Sequence, residues 1–251
     1  MGPSQDMVTV RRLRRGIGVV GIAMPFVLTL GNALFAGRLT LLESISGAYH
    51  TGMRDVFVGS MCAIGVFLVC YRYRPLDDVL SSVGGALAVA VALFPTASGA
   101  RDDPVSATDI LVGRVHQVCA AALFLLLAGF CLFLFTRTDP AAGPVTPEKL
   151  VRNRVYRVCG TIIVVAVALA PASTLLPEPV QEAVKPVFWC ETVAVLAFGV
   201  AWLVKGEAII RDAAVAARTR AERFRRARWA TGVRRSSGPP PTVGRCGSTA
   251  R

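Results

Sequence analysis

Six apolar blocks, at 16–36, 56–71, 79–95, 110–135, 155–175 and 187–204, alternate with polar connectors along this chain. No other feature limits the fold as much. A helix needs about 20 mostly apolar residues to cross the hydrocarbon core, and somewhat fewer when its flanks snorkel. Lipid offers a bare backbone no hydrogen-bond partner, so segments of this length must be helical. The blocks therefore predict an all-α integral membrane bundle of six transmembrane helices. Composition agrees, with 53% of the 251 residues hydrophobic and a mean hydropathy of +0.54. The first block is longer than the apolar region of a signal peptide, about 7–15 residues, and reads as a span although "RRLRR" precedes it.

A net charge of +12 would point a soluble protein towards nucleic acid. Here the placement of the charge matters more, and no nucleic acid is implied. Of 28 Lys and Arg, the N-terminus, the 72–78 connector, the 137–157 connector and the tail after Val204 hold four, two, five and twelve. The alternate connectors hold only Arg38, Arg54, Arg101, Arg114 and Lys185. By the positive-inside rule both termini are expected in the cytoplasm of a multi-pass cell-membrane protein. Six of the seven cysteines fall in the apolar blocks and Cys246 lies in the tail, so they read as small hydrophobes in helix packing rather than a disulfide framework.

Four regions follow: a basic N-terminus at 1–15, the membrane domain at 16–206, a basic amphipathic helix at 207–235 and a disordered tail at 236–251. In the third, Ile210, Ala214, Ala217, Ala221 and Phe224 recur at helical spacing. Arg218, Arg220, Arg223, Arg225, Arg226 and Arg228 occupy its other faces and are the expected contacts for anionic lipid of the inner leaflet. The bland reading of that helix is a topology anchor.

Local signals place several boundaries. Ser106 and Asp109 have capping-box spacing. Thr146, Pro147 and Glu148 supply an N-cap, a first-turn proline and an acidic first turn. Ser81, Gly85 and Ala88 form a small-residue face for close helix contact, which suggests a central place for the third span. The prolines of "PEPVQEAVKP" are expected to keep that connector short and non-helical at its edges.

The chemistry concentrates beside the second block, in "ESISGAYHTGMRDVFVG". Glu43, Ser44, Ser46, Tyr49, His50, Arg54 and Asp55 lie there, on the extracytoplasmic side by the charge rule. Arg114, His116 and Gln117 open the fourth span at the same depth, and Glu191 sits one turn inside the sixth. Ionisable groups inside a span are costly and are functional candidates by default. Asp55 shares a helical face with Gly59 and Cys62, His116 with Cys119 and Ala120, and Glu191 with Ala194. Small neighbours mark packed faces, so all three are expected to point inward to one polar pocket beneath the first loop, with Arg54 and Arg114 available to its carboxylates. Three readings stay open: interfacial groups without chemistry, a site for a lipid-like amphiphile, or a catalytic group of His50 or His116 with an acidic partner. No cofactor or metal is implied, and an enzymatic role is left open.

The segments "SISGAYHTGMRDVFVG", "GGALAVAVALFPT", "RNRVYRVCG" and "FWCETVAVLAFGVAWLVKGE" together resemble uncharacterised bacterial six-span membrane proteins that carry only a domain of unknown function. The resemblance covers about residues 16–206 and implies the span count and the outer polar loop, with no activity. More remotely, Ser44, His50, Asp55 and His116 resemble the polar residue types of alkaline ceramidase-like membrane hydrolases. Those have seven spans and a paired histidine motif in the last, where this chain has Glu191. Handling of a lipid-like amphiphile at the outer leaflet is the expected function; a lipid-directed hydrolase and a membrane scaffold or assembly factor are the alternatives.

Overall fold

The computed structural model describes residues 5–38, 40–71, 75–97, 106–137 and 146–207. They form seven α-helices: α1 (Gln5–Ala36), α2 (Arg54–Cys70), α3 (Pro75–Leu93), α4 (Ala107–Gly129), α5 (Pro147–Ser173), α6 (Glu178–Val184) and α7 (Pro186–Lys205). A 3₁₀ turn, Ser46–His50, precedes α2, and a π-turn, Phe130–Leu134, prolongs α4. The basic amphipathic helix expected at 207–235, with its six lipid-facing arginines, lies outside the described residues.

Five helices are long and apolar enough to cross a membrane: Val8–Ala36 within α1, α3, α4 with its π-turn, α5 and α7. Val19, Leu34, Phe35, Val118, Phe133 and Leu169 all turn outward from the bundle. So much outward apolar surface suits lipid rather than water as the solvent. The chain is a multi-pass α-helical membrane protein. The sixth expected span corresponds to α2, whose 17 residues reach about 26 Å at 1.5 Å per residue. That falls short of a hydrocarbon core about 30 Å thick.

The helices are antiparallel to their chain neighbours and close into a ring, because α1, α2, α3, α4, α5 and α7 each pack on the next and α7 packs back on α1. Two helix–helix contacts bring backbones close enough to require glycine. A Cβ on Gly85 would lie 2.6 Å from the Gly65 carbonyl oxygen, and one on Gly18 would lie 2.8 Å from that of Gly199. The face of Ser81, Gly85 and Ala88 is thus buried, against α2, with α3 one member of the ring rather than its centre. Among the crossing helices α7 is the most enclosed, with 56% of its apolar window buried against 22% for α1.

The expected caps form. Ser106 accepts from the Asp109 N–H and the Asp109 carboxylate accepts from Ser106 in return, while Thr146 accepts from the Lys149 N–H ahead of Pro147. The "PEPVQEAVKP" connector differs from expectation inside its edges, since Glu178–Val184 is helical. Pro179 stands in the first turn, where its missing N–H costs nothing. Lys185 then adopts a left-handed conformation, φ 51° and ψ 54°, that ends α6 and lets Pro186 start α7.

Asp55 corrects a further expectation. The buried stripe of α2 is Phe57, Met61, Ile64, Gly65 and Leu68. Asp55 and Gly59 lie on the opposite, exposed face. The small-neighbour argument fails because α2 buries its large side chains, and a Cβ on Gly59 would meet nothing within 4 Å.

Candidate functional site

At one end of the ring, here the lid end, residues 40–53 fold across the opening. Two contacts tie this lid to α7 and its joint with α6. The Glu191 carboxyl accepts from the Ser46 N–H at 3.1 Å and from the Ser46 hydroxyl at 3.0 Å, and so caps the 3₁₀ turn that Ser46 begins. Lys185 pairs with Glu43 beside it. Inside the lid, Ser44 Oγ accepts from the Gly47 N–H at 2.8 Å, and Met53 sits over Gly31 of α1, where a Cβ would collide with its sulfur.

The end of α3 explains both histidines. Helix termini leave carbonyls without intrahelical donors, and Pro95 prevents the helix from continuing. His116 Nδ1, from α4, donates to the Phe94 carbonyl at 2.6 Å, and His50 Nε2, from the lid, donates to the Thr96 carbonyl at 2.7 Å. Each bond fixes one ring proton, on Nδ1 of His116 and on Nε2 of His50. His116 is 3% exposed, whereas His50 lies at the surface.

Beneath the lid is a cavity of about 40 Å³. It admits about three waters, or a group of similar size, since one water needs roughly 10–15 Å³. Its walls are mostly apolar and come from α1, α2, α3, α4 and α7, with Met24, Phe57, Met61, Leu123 and Phe124 among them. Ser46, His116 and Glu191 are its polar lining. The lid, α4 and α7 therefore bring together three of the residues singled out in the sequence, across 145 positions between Ser46 and Glu191.

The others stand elsewhere. Glu43 and Ser44 belong to the lid's own fastening. Tyr49 and Arg54 pair on the outer surface, the Arg54 guanidinium donating to the Tyr49 hydroxyl at 2.7 Å and lying 4.5 Å from its ring centroid. Asp55, Arg114 and Gln117 face outward. Among the described residues no serine hydroxyl is hydrogen-bonded to either histidine, and no three His, Cys, Asp or Glu side chains gather closely enough to hold a metal ion.

The opposite, basic end holds a cluster that the sequence pattern did not single out. Tyr71, Trp202, Phe135 and Tyr156 are fully buried there and meet edge to face at centroid distances of 5.3 Å. The π-turn builds part of it, because the Phe135 N–H bonds back to the Phe130 carbonyl at 2.8 Å and the extra residue turns Phe130, Cys131 and Phe135 all inward. Arg14 donates to the Tyr71 hydroxyl at 2.9 Å, and the Lys205 ammonium lies 5.0 Å from the Phe135 centroid. Aromatic residues at block ends were the available signal, but they usually mark the membrane interface rather than a shared core.

Set against models of protein families, curated proteins and solved structures, the chain matches none of them.

Proposed function

We propose that this protein is a six-span cell-membrane protein whose lid end lies on the extracytoplasmic face, and that the cavity there takes the head of a single-chain amphiphile. α2 is the sixth span in this reading. Its support is that α2 runs antiparallel between two long apolar neighbours, with Arg54 at one end and Tyr71 held by Arg14 at the other. Short spans are accommodated by local thinning of the bilayer and by snorkelling flanks. The basic end then faces the cytoplasm, as the concentration of Lys and Arg requires. A cysteine introduced at Ser44 should react with a membrane-impermeant maleimide in intact cells; protection until the cells are lysed would reverse the orientation.

The observation that carries the ligand reading is a cavity with mainly apolar walls and three convergent polar groups, Ser46, His116 and Glu191, under a loop fastened by side chains. Such a combination is the usual make-up of small-molecule sites. Its size suits a carboxyl, hydroxyl or amide head with its first carbons, and the rest of the molecule stays in the surrounding lipid. Met24 and Met61 give the walls an adaptable lining. In the wild type purified with native lipid, a single-chain amphiphile should co-purify. Ala120→Phe, which fills the cavity without touching its polar groups, and Glu191→Gln, which changes one of them, should each lower that content roughly tenfold, about 1.4 kcal/mol of binding. Equal content in all three proteins would sink the reading.

A further inference from the structure

The cavity under the lid has three polar side chains, Ser46, His116 and Glu191, and none of them keeps a proton for a guest. The Ser46 N–H and hydroxyl both donate to the Glu191 carboxyl, at 3.1 and 3.0 Å. With that hydroxyl proton engaged, the 3.3 Å contact between Ser44 and Ser46 has Ser44 as its donor. On α4, the His116 Nδ1 proton goes to the Phe94 carbonyl at 2.6 Å, since a carbonyl oxygen can only accept. Every proton on the polar lining is therefore held within the protein.

What remains is acceptor capacity. His116 is 3% exposed, its Nε2 has no partner among the described residues, and no carboxylate pairs with the ring there. A second proton would bury an uncompensated charge, so the ring is neutral and Nε2 presents a lone pair. A carboxylate offers about four acceptor positions, and Ser46 fills only part of that capacity on Glu191. Both Glu191 oxygens accept, the arrangement of an ionised group, yet none of the residues lining the cavity is Lys or Arg. Buried charges are ordinarily paired. The cavity thus lacks a positive charge and hydrogen-bond donors.

These shortages separate heads that fit equally well by size. A carboxylate or phosphate brings acceptors alone and repeats the charge of Glu191. An alcohol brings one donor and no charge. A bare metal ion would find too few ligands, since no three His, Cys, Asp or Glu side chains gather among the described residues. A primary ammonium brings three donors and the missing charge in a volume close to that of water. The methylenes behind it would meet the apolar walls, Met24, Met61 and Leu123 among them.

We propose that the lid-end cavity selects a single-chain primary amine, whose ammonium group donates to His116 Nε2 and to the Glu191 carboxylate. This rests on the reading of the cavity as an amphiphile site and adds the charge and donor character of the head. The chain's own net charge of +12 repels amines in general. A preference for one must therefore come from the site itself.

Dodecylamine, dodecanol and dodecanoate share one chain and differ only in the head. Each is titrated at neutral pH into the full chain, delipidated in neutral detergent, with thermal unfolding as the readout. Ala120→Phe, whose cavity is filled, is the reference for uptake elsewhere. Beyond that reference, the amine should stabilise the wild type with an apparent affinity roughly tenfold above that of the alcohol, and the carboxylate should add nothing. Glu191→Gln should bring amine and alcohol to equal affinity. First place for the alcohol or the carboxylate, or a tie of either with the amine, overturns the proposal and leaves the amphiphile reading standing. No stabilisation beyond Ala120→Phe by any of the three removes both. An amine preference undiminished in Glu191→Gln also overturns the proposal, and if that variant does not fold, the ranking in the wild type decides alone.

Discussion

The two ends of one ring of helices solve the same problem in opposite ways. At the basic end the space between helix termini is filled by rings, and Trp202, Tyr71, Phe135 and Tyr156 leave almost no exposed surface. At the lid end the corresponding space is left partly open, walled by Met, Val, Ala and Phe and roofed by a loop that side-chain contacts to Glu191, Lys185 and the Thr96 carbonyl fasten. Dense aromatic packing yields rigidity, because every neighbour must move for one ring to leave. A roof held by hydrogen bonds can open locally at a cost far below that of unfolding the bundle. On the reading proposed above, anchoring falls to one end and exchange with the surroundings to the other.

The sharpest way to break that contrast is to remove a large side chain from each end. Trp202→Ala should destabilise by ~3–5 kcal/mol, since it empties the centre of a packed cluster. Met61→Ala, beside an existing cavity, should sit at the low end of the ~2–5 kcal/mol range for such truncations. Chemical denaturation in detergent micelles measures both. If Met61→Ala proved as costly as Trp202→Ala, the two ends would be equally load-carrying and the division of labour would fail.

What the sequence made legible divides along the same line. Hydrophobic length located every long helix, because in lipid the backbone has no other way to satisfy itself. Capping at Ser106 and Thr146 was readable because a cap depends on residues three positions apart. The inward turn of His116 was readable from its small neighbours, yet the same reasoning misplaced Asp55, because α2 buries Phe57 and Met61 and turns Gly59 outward with Asp55. Helix α6 was missed because its prolines were read as breakers, although one stands in a first turn where proline is tolerated. The bond from Glu191 to Ser46 and the ring cluster around Trp202 depend on ring closure between α1 and α7. No local pattern encodes that closure.

A smaller perturbation tests whether the lid is a separable unit. Ser46→Ala removes one hydrogen bond to the Glu191 carboxyl and keeps the one from the backbone N–H. The loss should be ~1–3 kcal/mol, and it should fall on the lid alone: amide exchange should quicken at residues 47–51 and stay unchanged around Trp202. Lys185→Met sets the lower limit of the same experiment. The Glu43 side chain of that pair is 76% exposed, so solvent screening holds the expected effect to ~0–1 kcal/mol. The order of the two variants carries the information. If Lys185→Met loosened the lid more than Ser46→Ala, the surface pair would be the true fastening, and Glu191 would be left to face the cavity rather than the roof. If instead exchange quickened equally at both ends of the ring, the lid would open only with the whole bundle and could not admit a ligand by itself.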